Sequence, residues 1–188
     1  MAAATAQQYL IALGLNQRHA RFGSPRRVLA AALERLEAEG ARVIAAAAPI
    51  ETAPVGPSIR RYANSAAVIE TNLEPEGLLA LLKRIEREFG RRPGGQRWRA
   101  RVLDLDLVLW TGGPYASRTL TIPHPLFRTR DFVLTPALAV APGWRDPVTG
   151  ATLRQLHARL TDLPRLPKRD GAKAFRRALS SVGRATDF

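Results

Sequence analysis

Two aspartates two residues apart, in Leu103-Asp104-Leu105-Asp106-Leu107, are the sharpest chemical feature of the chain. On a β-strand successive side chains alternate, so both carboxylates point to one face and the leucines to the other. At that spacing, about 7 Å between Cα atoms, two carboxylates can share hard cations. Two readings are open, metal ligation and a solvated strand face partnered by arginines. Immediately upstream, Arg91, Arg92, Arg97, Arg99 and Arg101 place five guanidinium groups in eleven residues without an acid. Guanidinium grips phosphate in two-pronged fashion, and Trp98 in the same stretch offers a face on which a planar ring can stack. Gly94-Gly95 lets the stretch bend. A basic loop feeding directly into an acidic strand suits a triphosphate clamped together with a divalent cation. A plain basic surface loop is the alternative.

Other signatures are missing. The chain has no GxxxxGK(S/T) and no GxGxxG, so neither a P-loop nor a dinucleotide fold is expected. It has no GxSxG, and without cysteine it has neither a thiolate metal site nor a cysteine nucleophile. His19, His124 and His157 lack zinc-ligand spacing. Covalent catalysis is disfavoured, and a reaction run by positioning and cation electrostatics fits better. His124, between Pro123 and Pro125, is held in a stiff extended segment. A structural and a functional role are both open for it, as they are for Tyr62 and for Asn64, whose amide could meet a heterocycle edge.

Lys plus Arg number 29 against 16 acids, a formal net charge of +13. Such an excess favours polyanionic partners: nucleic acid, anionic lipid or a nucleoside triphosphate. An arginine-rich composition without functional meaning is the other reading. The 188 residues, 46% hydrophobic and 24% charged, suit one globular domain with a sizeable core. No run approaches 18 consecutive apolar residues, so no membrane-spanning helix is expected. Met1 to Gln8 has neither the basic nor the apolar region of a secretory signal. The absence of cysteine suits a reducing cytoplasm.

The elements that must position these residues can be read in order. Tyr9 to Leu13 suits a buried strand ending at Gly14. Ser24-Pro25 reads as an N-cap with proline at the first helical position, followed by Leu29, Leu33 and Leu36 at helical spacing and a stop at Gly40. Val43 to Ala48 suits a second strand, Ala53 to Pro57 a loop, and Tyr62 to Glu70 a third strand. Leu78, Leu81, Leu82, Ile85 and Phe89 form an amphipathic helix closed by Gly90. After the basic loop, Val102 to Trp110 alternates as a strand. The order β-α-β-β-α-β predicts an α+β sandwich of the ferredoxin-like split βαβ kind. C-terminal additions follow: a strand-like stretch near Leu120, a short helix or turn over Asp131 to Leu138, and a helix over Leu153 to Leu160. The domain is expected over residues 7–163, with a mobile basic tail over 164–188. From Arg165 to Phe188 that tail carries seven basic and two acidic residues and few large apolar ones.

Together these motifs resemble one family. The stretches are Tyr9 to Asn16, Glu51 to Pro57, Tyr62 to Ala66, Ile85-Glu86, Gly90-Arg91 and Arg97 to Asp106. Leu120 to Pro125 and Arg130 to Leu134 complete them, over about residues 9–160. In them the chain resembles the 6-hydroxymethyl-7,8-dihydropterin pyrophosphokinases of folate biosynthesis. The aspartate pair followed by Pro123-His124-Pro125 is the most specific part.

The resemblance implies transfer of the β,γ-pyrophosphoryl group of ATP to the pterin hydroxymethyl oxygen, with release of AMP. It implies two Mg²⁺ ions on Asp104 and Asp106, which join Arg91 and Arg101 as catalytic residues. It implies a pterin pocket of Thr52, Pro54, Val55, Tyr62, Asn64, Trp98 and Phe132, with Tyr62 and Phe132 sandwiching the bicycle. Around ATP it implies Glu86, Arg97, Arg101, Thr121, His124 and Arg130. A cytoplasmic monomer working on these two substrates, without membrane or nucleic acid, is expected. Four positions depart from the family pattern: Leu15 replaces a serine, Arg99-Ala100 replaces Gly-Pro, and Lys83 stands where glutamine is common.

The competing class is a basic ferredoxin-like RNA-binding module, for which +13 would be apt. Such modules stack bases on aromatic side chains of an open sheet. Ala63 to Glu70 carries no aromatic residue, and an acidic pair repels phosphate unless a cation intervenes.

Overall fold

The computed structural model describes residues 6–16, 19–52, 62–90 and 103–162. Its centre is strand β1 (Gln7–Leu15), paired antiparallel with β4 (Tyr62–Thr71) on one side and β5 (Asp104–Trp110) on the other. Strand β2 (Arg42–Ala46) pairs antiparallel with β4 on its far edge, giving the order β2-β4-β1-β5. A short strand β3 (Ile50–Thr52) also pairs with β4, at Tyr62 to Asn64. The sequence reading did not anticipate β3. It forms because the Tyr62 end of β4 extends beyond β2 and offers its backbone groups to the next stretch of chain. A strand paired on both sides and covered on both faces reads as nearly continuous apolar sequence, which is the character of β1. That pairing carries β1 through Gly14, where the sequence reading had ended it.

Alternate residues of β1 serve two cores. Tyr9, Ile11, Leu13 and Leu15 pack beneath α1 (Pro25–Ala38) and α2 (Pro75–Glu88), against Val28, Leu36, Leu78, Leu82 and Ile85. Leu10 faces the opposite layer, made by α3 (Asp131–Val140) and α4 (Leu153–Thr161), with Leu134, Ala137, Leu153 and Leu156. The C-terminal additions are therefore a second covering layer on the sheet. A bulge at Val108 shifts the β1–β5 register, with Leu10 opposite Leu109 but Ile11 opposite Leu107. Leu103, Leu105 and Leu107 consequently serve the first core, while Val108 and Leu109 serve the second.

Local signals behave largely as expected. Pro25 opens α1 behind an extended Ser24, although the Ser24 side chain makes no capping hydrogen bond. Gly90 follows α2 at φ +92°, a left-handed position that glycine occupies without strain. Thr152 caps α4 through a full capping box with Gln155. The strand-like stretch near Leu120 becomes β7 (Thr121–Ile122), hairpin partner of β6 (Tyr115–Ala116). No helix among the described residues is long and apolar enough to cross a membrane. The expected tail, 164–188, lies outside the described residues.

Candidate active site

Register places the site. Across the sheet, Asp104 lies opposite Gly14, and Gly14 lies opposite Asn64 on its other flank. Two residues along, Asp106 lies opposite Ala12, and Ala12 opposite Ala66. Both carboxylates and the Asn64 amide thus share one face of the sheet, separated by a stretch of β1 that presents only Ala12 and Gly14 on that face. A Cβ added to Gly14 would stand 3.4 Å from Asn64 Oδ1, so the glycine leaves room for that amide.

The hollow continues into a cleft of about 640 Å³, lined by Tyr62, Asn64, Asp104, Asp106, Arg130 and Phe132 among others. The start of α3 supplies its far wall. Arg130 is the N-cap residue of that helix, and Phe132 and Val133 occupy its first turn. The Arg130 guanidinium sits 5.7 Å from the centre of the Phe132 ring. Asn64 Nδ2 donates to Thr52 Oγ1 at 2.8 Å, so β3 fixes the amide's orientation. The cleft thus brings two carboxylates together with two aromatic rings and an oriented amide.

His124 stands close enough for its charge to couple to the cleft. Its backbone N–H donates to Val108 O at 3.0 Å, and its Nδ1 accepts the Leu126 N–H at 3.2 Å, which leaves Nε2 to carry the proton. Burial holds its imidazole below the ordinary value; Arg130 adds to that, while Asp106 and Asp104 oppose it. The preceding Ile122–Pro123 peptide bond is cis.

Of the residues expected from the sequence, Tyr62, Asn64, Asp104, Asp106, Arg130 and Phe132 meet in the cleft, and Thr52 touches it through Asn64. Thr121 does not line it; it is an exposed residue of β7. Glu86 does not line it either. It is 1% exposed between α2 and the outer edge of β5, where its Oε1 accepts the Leu105 N–H at 2.8 Å. Pro54, Val55, Arg91, Arg97, Trp98 and Arg101 lie outside the described residues. The sequence reading missed Ala12 and Gly14 as floor and Leu126, Thr129 and Val133 as wall. A glycine inside an apolar strand was the available signal for the floor.

The two aspartates fit a cation that arrives with its ligand. No group of three or more His, Asp or Glu side chains that could hold a metal occurs among the described residues. Mg²⁺ keeps several waters and is commonly held by one or two carboxylates plus phosphate oxygens, so a two-carboxylate donor set suits it.

Sheet, helices and cleft define an α+β protein, layered on both faces of an antiparallel sheet, with a carboxylate pair lining a cleft on one of those faces. The model of the 7,8-dihydro-6-hydroxymethylpterin-pyrophosphokinase family matches residues 10–142, and the chain belongs to that family. A 2-amino-4-hydroxy-6-hydroxymethyldihydropteridine pyrophosphokinase of Methylorubrum extorquens is 36% identical over 141 residues, covering 74% of this chain and 87% of that protein. Its counterpart in Synechocystis is 41% identical over 101 residues, covering 54% of this chain and 51% of that one, so the match spans about half of that relative. The crystal structure of a wild-type Plasmodium falciparum HPPK-DHPS with pteroate aligns at TM-score 0.63 and 13% identity, over 86% of this chain and 44% of that one. That likeness concerns the fold alone. Family membership sets aside the RNA-binding alternative. Physically, the sheet face an RNA would stack on is occupied, because Ala66 and Val68 are buried with the residues of α3 and α4.

Proposed function

We propose that the chain transfers the β,γ-pyrophosphoryl group of ATP to the hydroxymethyl oxygen of 6-hydroxymethyl-7,8-dihydropterin. A bond forms between that oxygen and the β-phosphorus, the bond from β-phosphorus to the bridging oxygen breaks, AMP leaves, and the hydroxyl proton is lost. The observation that carries this reading is one cleft lined by Asp104 and Asp106 together with Tyr62, Asn64 and Phe132. Asn64, held by Thr52, can donate to and accept from the edge of the pterin, and Tyr62 and Phe132 can cover its faces. Arg130, on the cleft wall, offers a fork of donors to phosphate oxygens. Asp104 and Asp106 would hold Mg²⁺, two ions in the fuller reading; bound there, the cation neutralises charge that builds on the phosphoryl oxygens. The protein's own contribution is alignment: two reactants held in line on a rigid sheet, with water excluded by α3.

The finer expectations belong to the same reading. The antiparallel order β2-β4-β1-β5, with helices after β1 and β4, supports a ferredoxin-like split βαβ core carrying one extra strand. A monomer acting in the cytoplasm on the two substrates goes with it, with Arg91, Arg97 and Arg101 reaching phosphate and Trp98 the pterin. Incubating the chain with ATP, Mg²⁺ and the pterin alcohol tests the core of this. AMP should form only when the pterin is present. Production of ADP, or no nucleotide turnover, overturns the reading.

A further inference from the structure

Among the described residues β5 is the outer strand of the sheet, and no described strand pairs with the backbone groups on its far side. At Leu105, between the two aspartates, helix α2 supplies the partners. Glu86 Oε1 accepts the Leu105 N–H at 2.8 Å, and Lys83 Nζ donates both to Glu86 Oε1 at 2.8 Å and to the Leu105 carbonyl at 3.3 Å. The Glu86 side chain is 1% exposed and Lys83 39%. An ammonium and a carboxylate one helical turn apart thus bind both outward backbone groups of one residue, as a neighbouring strand would.

We propose that Lys83 and Glu86 are positioning residues: they clamp the β5 edge at Leu105 and so set the pitch and spacing of the Asp104 and Asp106 carboxylates. Three observations converge on this role. The clamped residue is the one between the two carboxylates, so any twist of its peptide groups moves both at once. Burying Glu86 as an anion is costly unless it is paired and hydrogen-bonded, and Lys83 and the Leu105 amide both supply such partners. Leu105 itself is fully buried in the first core opposite Leu13 of β1, so the clamp acts on a peptide already held from its other side. Outer groups that orient cation ligands commonly carry a large share of the affinity.

This inference rests on the reading of Asp104 and Asp106 as cation ligands, and the experiment separates the two. The full chain is titrated with a non-hydrolysable ATP analogue, with Mn²⁺ and without it, and Mn²⁺ binding is followed by electron paramagnetic resonance. Lys83→Met should weaken binding of the Mn²⁺–analogue complex about tenfold. Its affinity for the metal-free analogue and its melting temperature should stay close to wild type. Lys83→Gln should recover most of the lost affinity, and in turnover Lys83→Met should lower kcat without raising the pterin KM. Glu86→Gln, which keeps an acceptor for the Leu105 amide but loses the anion, should fall between. Wild-type Mn²⁺ binding in Lys83→Met overturns the proposal, as does an equal loss with and without metal, which would make Lys83 a nucleotide contact. If Asp106→Ala binds the Mn²⁺ complex like wild type, it is the assignment of the cation ligands that fails.

Discussion

Arg128 and Asp146 meet in a two-pronged ion pair, Nε to Oδ2 at 2.7 Å and Nη2 to Oδ1 at 2.6 Å, with Asp146 fully buried. The carboxylate also accepts from Thr149 Oγ1 at 2.5 Å and from the Val148 N–H at 3.1 Å. The pair ties the turn before α4 to the 3-10 turn at Phe127–Thr129, directly ahead of Arg130 and the cleft wall.

That pair predicts a pH dependence. Burial pushes the Asp146 carboxyl up, but the hydrogen bonds from Arg128, Thr149 and Val148 and the charge of Arg128 outweigh it and hold the group at about 2. A carboxyl depressed on folding contributes stability above its unfolded value near 3.9, and that contribution is lost as pH falls toward about 2. The contribution is about 2 kcal/mol. Urea denaturation between pH 5 and 2 should show it. Asp146→Asn should flatten the curve in that window, and an unchanged slope would contradict the assignment.

Asp106→Ala should lower turnover about 10²–10³-fold, because one ligand of the charge-compensating cation is lost. The carboxylate is half-exposed on the cleft face, so melting temperature and circular dichroism should hardly change. Near-normal AMP formation would refute its role.

Gly14→Val tests the hollow floor. The added side chain should intrude on the space beside Asn64, given the 3.4 Å approach of even a Cβ. The pterin KM should rise roughly tenfold while the KM for ATP moves little. A β-branched residue suits a strand, so the fold should survive. Equal changes in both KM values would show that Gly14 serves the whole cleft.

Tyr9→Phe should separate stability from function. The Tyr9 hydroxyl donates to the Leu73 carbonyl at 2.8 Å, and its ring packs in the α1–α2 core, away from the cleft. Losing that hydrogen bond should cost about 1 kcal/mol in denaturant unfolding, with turnover at low temperature unchanged. A large loss of activity would link the two layers of the sheet.

Much of this molecule was legible along the chain. Leu78, Leu82 and Ile85 announce α2 by their helical spacing, and Asp104 and Asp106 share a face because any strand alternates. The order of motifs from Tyr9 to Leu134 carried the family. Other features were not legible. Strict alternation from Leu105 would put Leu109 in the first core, but the bulge at Val108 turns it into the second. That Glu86, expected at the nucleotide, accepts the Leu105 N–H at the edge of β5 was not legible either.

The sequence by itself determined most of the elements, the facing of the carboxylate pair and the family, because alternation, helical periodicity and local motifs are properties of neighbouring residues. Only the tertiary structure decided that Gly14 separates Asp104 from Asn64, that α3 walls the cleft, and that Lys83 and Glu86 bind Leu105. Those depend on strand register and on which backbone groups are left to be satisfied at a sheet edge, and contacts between residues far apart in the chain set both.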